Sequence, residues 1–333
     1  MKKNIKTLLK GAMIASSIVA SFAAAADELR IGLVVKAQGI GFFEAANVGA
    51  QQAAKEIGDV NIIYTGPVTP TAEGQIEVIN SLISQKVDAI VVSANDTDAL
   101  VPILKRAQKR GIKVVSFDSG VAPEGRQVHL NPSSNELIGL MNVELADVAV
   151  KATGAEKGDI AILSASPTAT NQNIWIGEME KDLKQFPNLN LVATVYGDDL
   201  ADKSYRETKG LIDSYPNLKA IVAPTSVGIV AAAQAVSDMG KVGEVYVTGL
   251  GLPSELAGHV DSGAVKSFAI WNPIDLGYAA TTIAVNLIKG DYTETEVDMG
   301  RMGKATLDKD GNAAMSKPFV YDATNVHKFA GIF

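Results

Sequence analysis

Short aliphatic runs recur along this chain, each followed by a polar turn and then by a stretch with helical spacing of its apolar residues. Few architectures accommodate that pattern. The first run, Arg30-Ile31-Gly32-Leu33-Val34-Val35, leads into helical sequence over 44–56. Runs at 60–64, 88–93 and 113–117 follow, separated by amphipathic stretches at 71–85 and 100–110. Continuous apolar strands alternating with helices predict a parallel sheet covered on both faces. An extended piece at 127–130 breaks at Asn131-Pro132, and the alternation then restarts. Strands are expected at 159–164, 191–196, 220–223 and 244–248, with helices at 135–153, 174–186, 204–215 and 229–239. A strand at 265–271 and a helix at 274–289 read as a return to the first half. The fold class is therefore α/β, with two doubly wound parallel-sheet lobes joined by a three-segment hinge. The expected division is 26–130 plus 262–297 for one lobe and 131–261 plus 298–333 for the other, with crossings near 130, 262 and 298.

The first 25 residues read as a leader: Lys2, Lys3, Lys6 and Lys10, an apolar stretch 11–22, then Ala23-Ala24-Ala25. That is the layout of a secretory signal peptide. Removing its four lysines takes the formal charge from -7 to -11. An acidic chain without a basic run argues against nucleic acid or anionic lipid as a partner. Cysteine is absent, so no lipid is attached through one at the cleavage site. The expected location is the periplasm, without a lipid anchor.

Nothing in the sequence nominates an enzyme. Gly39-Ile40-Gly41-Phe42-Phe43-Glu44 begins like a dinucleotide fingerprint, but Glu44 would set a carboxylate against the pyrophosphate. There is no Gly-x-Ser-x-Gly elbow. His129, His259 and His327 stand singly and read as surface or capping residues, and no metal-ligand spacing occurs. No cofactor is expected.

In doubly wound sheets, ligands bind beyond the carboxyl ends of the strands. The residues falling there are Lys36, Asn95 and Asp118 in the first lobe, and Asn171, Gln172, Pro224 and Ser226 in the second. Carboxylate and amide groups of this kind accept from and donate to hydroxyls. Phe42, Phe43 and Trp271 offer aromatic faces for the C–H side of a pyranose, and Asn272 follows directly. The opposing possibility places both phenylalanines in the core and the amides at helix caps.

These stretches carry a resemblance. Gly41-Phe42-Phe43, 69–75, 92–96, Phe117-Asp118-Ser119, 168–173, Ala223-Pro224-Thr225 and 269–273 resemble the periplasmic sugar-binding proteins of ABC importers, of the ribose-binding type. The resemblance is narrowest to the rhamnose-binding and autoinducer-2-binding branches. It implies the type I periplasmic-binding-protein fold, a small sugar held between the lobes, an ABC transporter permease as partner and a monomeric receptor. In autoinducer-2 receptors the ligand is held by a lysine, side chains of Asp, Asp and Gln type, and a Pro-x-Ala pair. Lys36, Asp118, Gln172 and Pro224 match, whereas Asn171 stands at the second aspartate and Ser226 at the alanine. The 168–173 loop, with Asn171, is similar to that of rhamnose-binding proteins, so L-rhamnose is the favoured ligand and autoinducer-2 the alternative.

Overall fold

A computed structural model of the chain describes residues 28–333; the leader expected at 1–25 lies outside the described residues. The first sheet is built from β1 (Leu29–Val34), β2 (Val60–Thr65), β3 (Ala89–Val92), β4 (Lys113–Phe117) and β5 (Val128–Asn131), all pairing in parallel. Helices α1 (Gly41–Ile57), α2 (Ala72–Ser84) and α3 (Val101–Lys109) connect them. β3 is buried along its whole length, which is why it reads as an unbroken apolar run rather than an alternating one.

Helix α4 (Asn135–Ala152), capped by the Ser134 hydroxyl, enters the second lobe. There β6 (Gly158–Ser164), β7 (Leu189–Tyr196), β8 (Leu218–Ala223) and β9 (Tyr246–Gly249) form a parallel sheet in the order β7-β6-β8-β9. Its connections are α5 (Thr170–Asp182), α6 (Ala201–Ser214) and α7 (Ser226–Asp238), and α8 (Pro253–Asp261) follows β9.

The last quarter of the chain departs from the expected division. Strand β10 (Ser267–Ile270) does not return to the first sheet: a parallel bridge from Ala269 to Leu250 sets it beside the end of β9. Only α9 (Pro273–Lys289) goes back, packing on α1. A small hairpin, β11 (Glu296–Asp298) with β12 (Lys304–Thr306), leads to β13 (Asn312–Ala314). β13 pairs in parallel with β5, giving the first sheet the order β13-β5-β4-β3-β1-β2. Finally β14 (Phe319–Asp322) runs antiparallel to β10, and α10 (Val326–Phe329) ends the chain. The strand pairings thus change sheet at 131–135, 270–273 and 314–319. The crossings expected near 262 and 298 were set too early. β13 is three residues long, too short to show periodicity, and β10 is as fully buried as β3 of the first sheet.

Two of the crossings run side by side. Met315 N–H donates to the Asn131 carbonyl at 2.9 Å and Ser316 N–H to that of Pro132 at 3.0 Å. The contact of α1 with α9 depends on two glycines. A Cβ on Gly49 would lie 1.7 Å from the Ile274 carbonyl oxygen, and one on Gly277 would lie 1.9 Å from that of Ala46.

Candidate ligand-binding site

Between the lobes, beyond the carboxyl ends of both sheets, lies about 420 Å3 of space between protein atoms, part of it open to solvent. Lys36, Asp118, Phe42 and Phe43 line it from the first lobe, and Asn171, Gln172, Pro224 and Ser226 from the second. Trp271 lines it from the middle crossing. Nine of the eleven residues picked out from the sequence therefore meet at one cavity.

Its polar side is a connected set. Asp118 follows β4 with φ +57°, a left-handed backbone that costs energy for a side-chain-bearing residue. Ser93 Oγ donates to its Oδ2 at 2.7 Å, and Asn171 Nδ2 donates to its Oδ1 at 3.1 Å. Asn171 Oδ1 in turn accepts from Lys36 Nζ at 3.1 Å. Burial pushes the Asp118 carboxyl above its ordinary value; Lys36, Ser93 and Asn171 oppose the shift, while the charge of Asp199 adds to it. Gln172 is fixed through its carbonyl oxygen, which accepts from Ser164 Oγ at 2.8 Å and Ala165 N–H at 2.6 Å. Its Nε2 has no partner among the described residues.

The apolar side is a row of rings in edge-to-face contact. Phe43 meets Phe42 at 5.2 Å between centroids, Phe42 meets Trp271 at 6.1 Å, and Trp271 meets Trp175 at 5.7 Å. Such contacts fix ring orientation as well as burying area. Both phenylalanines also belong to the main hydrophobic core, so the core and cavity readings of them hold together.

Two expected residues do other work. Asn95 is not at the cavity: its Nδ2 donates to the carbonyls of Lys36 (2.9 Å) and Thr71 (3.3 Å). It holds the loop that carries Lys36. Asn272 caps α9, its Oδ1 accepting from Ile274 N–H at 2.9 Å. An asparagine at the end of a strand serves a backbone as readily as a ligand.

Sequence reasoning missed several contributors. Gln75, fully buried, donates through Nε2 to the carbonyls of Val35 and Ser93 and accepts the Asn95 N–H, tying the ends of β1 and β3 together. Trp175 and Asp199 line the cavity. The available signals were that the chain has only two tryptophans and that Asp198-Asp199 lies just past the end of β7. His129, read as a surface or capping residue, is instead buried within β5. Its ring lies between Ser116 Oγ (2.9 Å) and Asn131 Oδ1 (3.1 Å), and burial lowers its pKa to about 4. The glycine-rich first loop holds its own anion: Glu44 Oε1 accepts Gly39 N–H at 3.2 Å and the Tyr64 hydroxyl at 2.8 Å.

Among the described residues, no helix is long and apolar enough to cross a membrane, and no group of three His, Asp or Glu could hold a metal ion.

Known proteins share this fold. The family described as periplasmic binding protein domain matches residues 31–291. A solute-binding protein structure from Clostridium phytofermentas with bound L-rhamnose superposes with a TM-score of 0.85 at 35% identity, over 92% of this chain and 99% of that one. LsrB from Clostridium saccharobutylicum in complex with AI-2 superposes with a TM-score of 0.86 at 23% identity, over 90% of this chain and 99% of that one, a likeness of fold. The D-ribose/D-allose-binding protein of Pseudomonas aeruginosa is 26% identical over 82% of this chain and 86% of its own length. With a family match across most of the chain and two parallel sheets facing one cleft, the chain belongs to the periplasmic binding protein family.

Proposed function

We propose that this chain is the solute-binding receptor of an ABC importer, working in the periplasm by binding rather than catalysis, and that its ligand is a small neutral sugar, L-rhamnose in first place. One observation carries the reading: polar groups from both lobes converge on one cavity whose other wall is aromatic. A pyranose has that same division, with hydroxyls at its edge and C–H groups on its face. The rhamnose-bound relative supports the choice of sugar.

Lys36, Asp118, Asn171 and Gln172 would exchange hydrogen bonds with hydroxyls, and Phe42, Phe43, Trp175 and Trp271 would cover the ring. A ligand that contacts both lobes at once favours the closed arrangement over an open one, and the three crossings are the natural hinge. The closed receptor, a monomer, would then present both lobes to the permease.

Autoinducer-2 is the second reading. Lys36, Asp118, Gln172 and Pro224, which match the pattern of its receptors, all line the cavity, and an AI-2 complex lies among the structures of like fold. Asn171 weighs against it, because an amide replaces the acceptor expected there. Calorimetric titration with L-rhamnose tests the first reading: micromolar binding or tighter is expected, and no heat at millimolar sugar overturns it. In that case, ligand trapped from an autoinducer-producing culture tests the second.

A further inference from the structure

Asp199 follows β7 in the second lobe and lines the cavity opposite Asp118. It and Asp198 are consecutive non-glycine residues in left-handed backbone, at φ +50° and +55°. Such conformations persist where the surroundings impose them. Here they bring the carboxylate to the cavity wall. Thr225 Oγ1, at the N-cap of α7, donates to Oδ1 at 2.5 Å. Oδ2 has no partner among the described residues. Asp199 also stands where the inner cavity meets a wider groove between the lobes.

The charges around the cavity do not balance. Lys36 supplies one ammonium, and it already donates to Asn171; Asp118 and Asp199 supply two carboxylates. A neutral polyol gives Oδ2 a charge-assisted hydrogen bond from a hydroxyl. An anionic sugar meets two like charges in a partly dry space, where repulsion is several times stronger than in water. We infer that Asp199 is a ligand-contacting carboxylate which, together with Asp118 on the other lobe, makes the site accept neutral sugars and exclude sugar acids. This inference rests on the sugar-receptor reading above.

The test uses Asp199→Asn, which keeps an oxygen for Thr225 but removes the charge. Calorimetry of the full chain with L-rhamnose, a panel of neutral hexoses and pentoses, and a hexuronate is run from pH 7.5 to 4.5. Wild type is expected to bind a neutral sugar and to take the hexuronate at least a hundredfold more weakly. The variant should bind the neutral sugar at least tenfold more weakly and narrow the gap to the hexuronate. Its acid limb should also move to lower pH, because Asp118 loses a like charge while still facing Lys36, Ser93 and Asn171. The limb reports the charge of Asp199 on Asp118, and the gap to the hexuronate reports its contact with ligand: a purely structural role would weaken both sugars alike and leave the gap unchanged. A variant within twofold of wild type, with the limb in place, overturns the inference and leaves the receptor function standing. Wild type that prefers the hexuronate also overturns it, whether or not the variant folds. Wild type that binds no neutral sugar at millimolar concentration overturns the receptor reading first, and this inference with it.

Discussion

Asn171 Nδ2 donates to Asp118 Oδ1 at 3.1 Å, so an amide from one lobe is hydrogen-bonded to a carboxylate of the other. Lys36 Nζ completes the set on the amide oxygen, again at 3.1 Å. The three groups are complementary only because residue 171 both donates and accepts. Asn171→Asp turns the donor into a second acceptor and places like charges together in a buried place. L-rhamnose affinity at pH 7 is expected to fall at least tenfold, with part of the loss recovered near pH 5 as the pair takes up a proton. Affinity equal to wild type across that range would rule out a donor role for the amide.

Burial depresses the pKa of His129 to about 4, against 6.5 for the unperturbed group. Between those values the unfolded chain binds a proton at this position and the folded chain does not. Stability is therefore lost as pH falls from 6.5 towards 4, by about 3 kcal/mol in all. Urea unfolding midpoints at pH 7 and 4.5 measure this. In His129→Asn the drop between the two should be smaller by most of that amount, whatever the variant's stability at pH 7. An unchanged drop would mean that the buried ring is not the source.

Gly277 lets α9 lie against the backbone of α1. Gly277→Ala puts a methyl where the Ala46 carbonyl oxygen stands and forces the helices apart. A cost of about 2–3 kcal/mol in urea unfolding is expected. A loss under 0.5 kcal/mol would show that the two helices separate easily.

Both tryptophans of the chain line the cavity, one from α5 and one from the middle crossing. Ligand binding is therefore expected to change the intrinsic emission, with no background from tryptophan elsewhere. Trp175→Phe and Trp271→Phe should each remove part of the change, and the larger loss identifies the ring that covers the sugar. Trp175→Ala is expected to weaken binding by about 1–2 kcal/mol. Calorimetric binding without any emission change would place the ligand away from this wall.

The lobes and most of their strands were legible because a strand in a covered parallel sheet is apolar throughout, and the chain repeats that signal eight times before residue 250. The division of the last quarter was not. β10 is as apolar as its neighbours, and nothing in Ser267–Ile270 says which sheet it will border. β13 is held by its register with β5 and by Arg126, whose guanidinium reaches Asn312 Oδ1 at 2.7 Å, a contact across 186 positions. At the site, position at a strand end correctly identified Lys36, Asp118, Asn171 and Gln172 as neighbours of one cavity. It did not separate Asn171 from Asn95, since both are asparagines in polar sequence past a strand; Asn171 falls in the first turn of α5 and faces the cavity, whereas Asn95 turns to backbone carbonyls. Asp199 was missed because two aspartates after a strand read as an ordinary polar turn. What sets them apart is backbone geometry, which sequence does not display.

Both lobes depend on one short segment, 312–322. The first takes its edge from Asn312–Ala314, and the second takes the cover that Phe319–Asp322 lays along β10. Detaching that one stretch would strip a paired neighbour from β5 in one lobe and from β10 in the other, so the two lobes are expected to lose stability together.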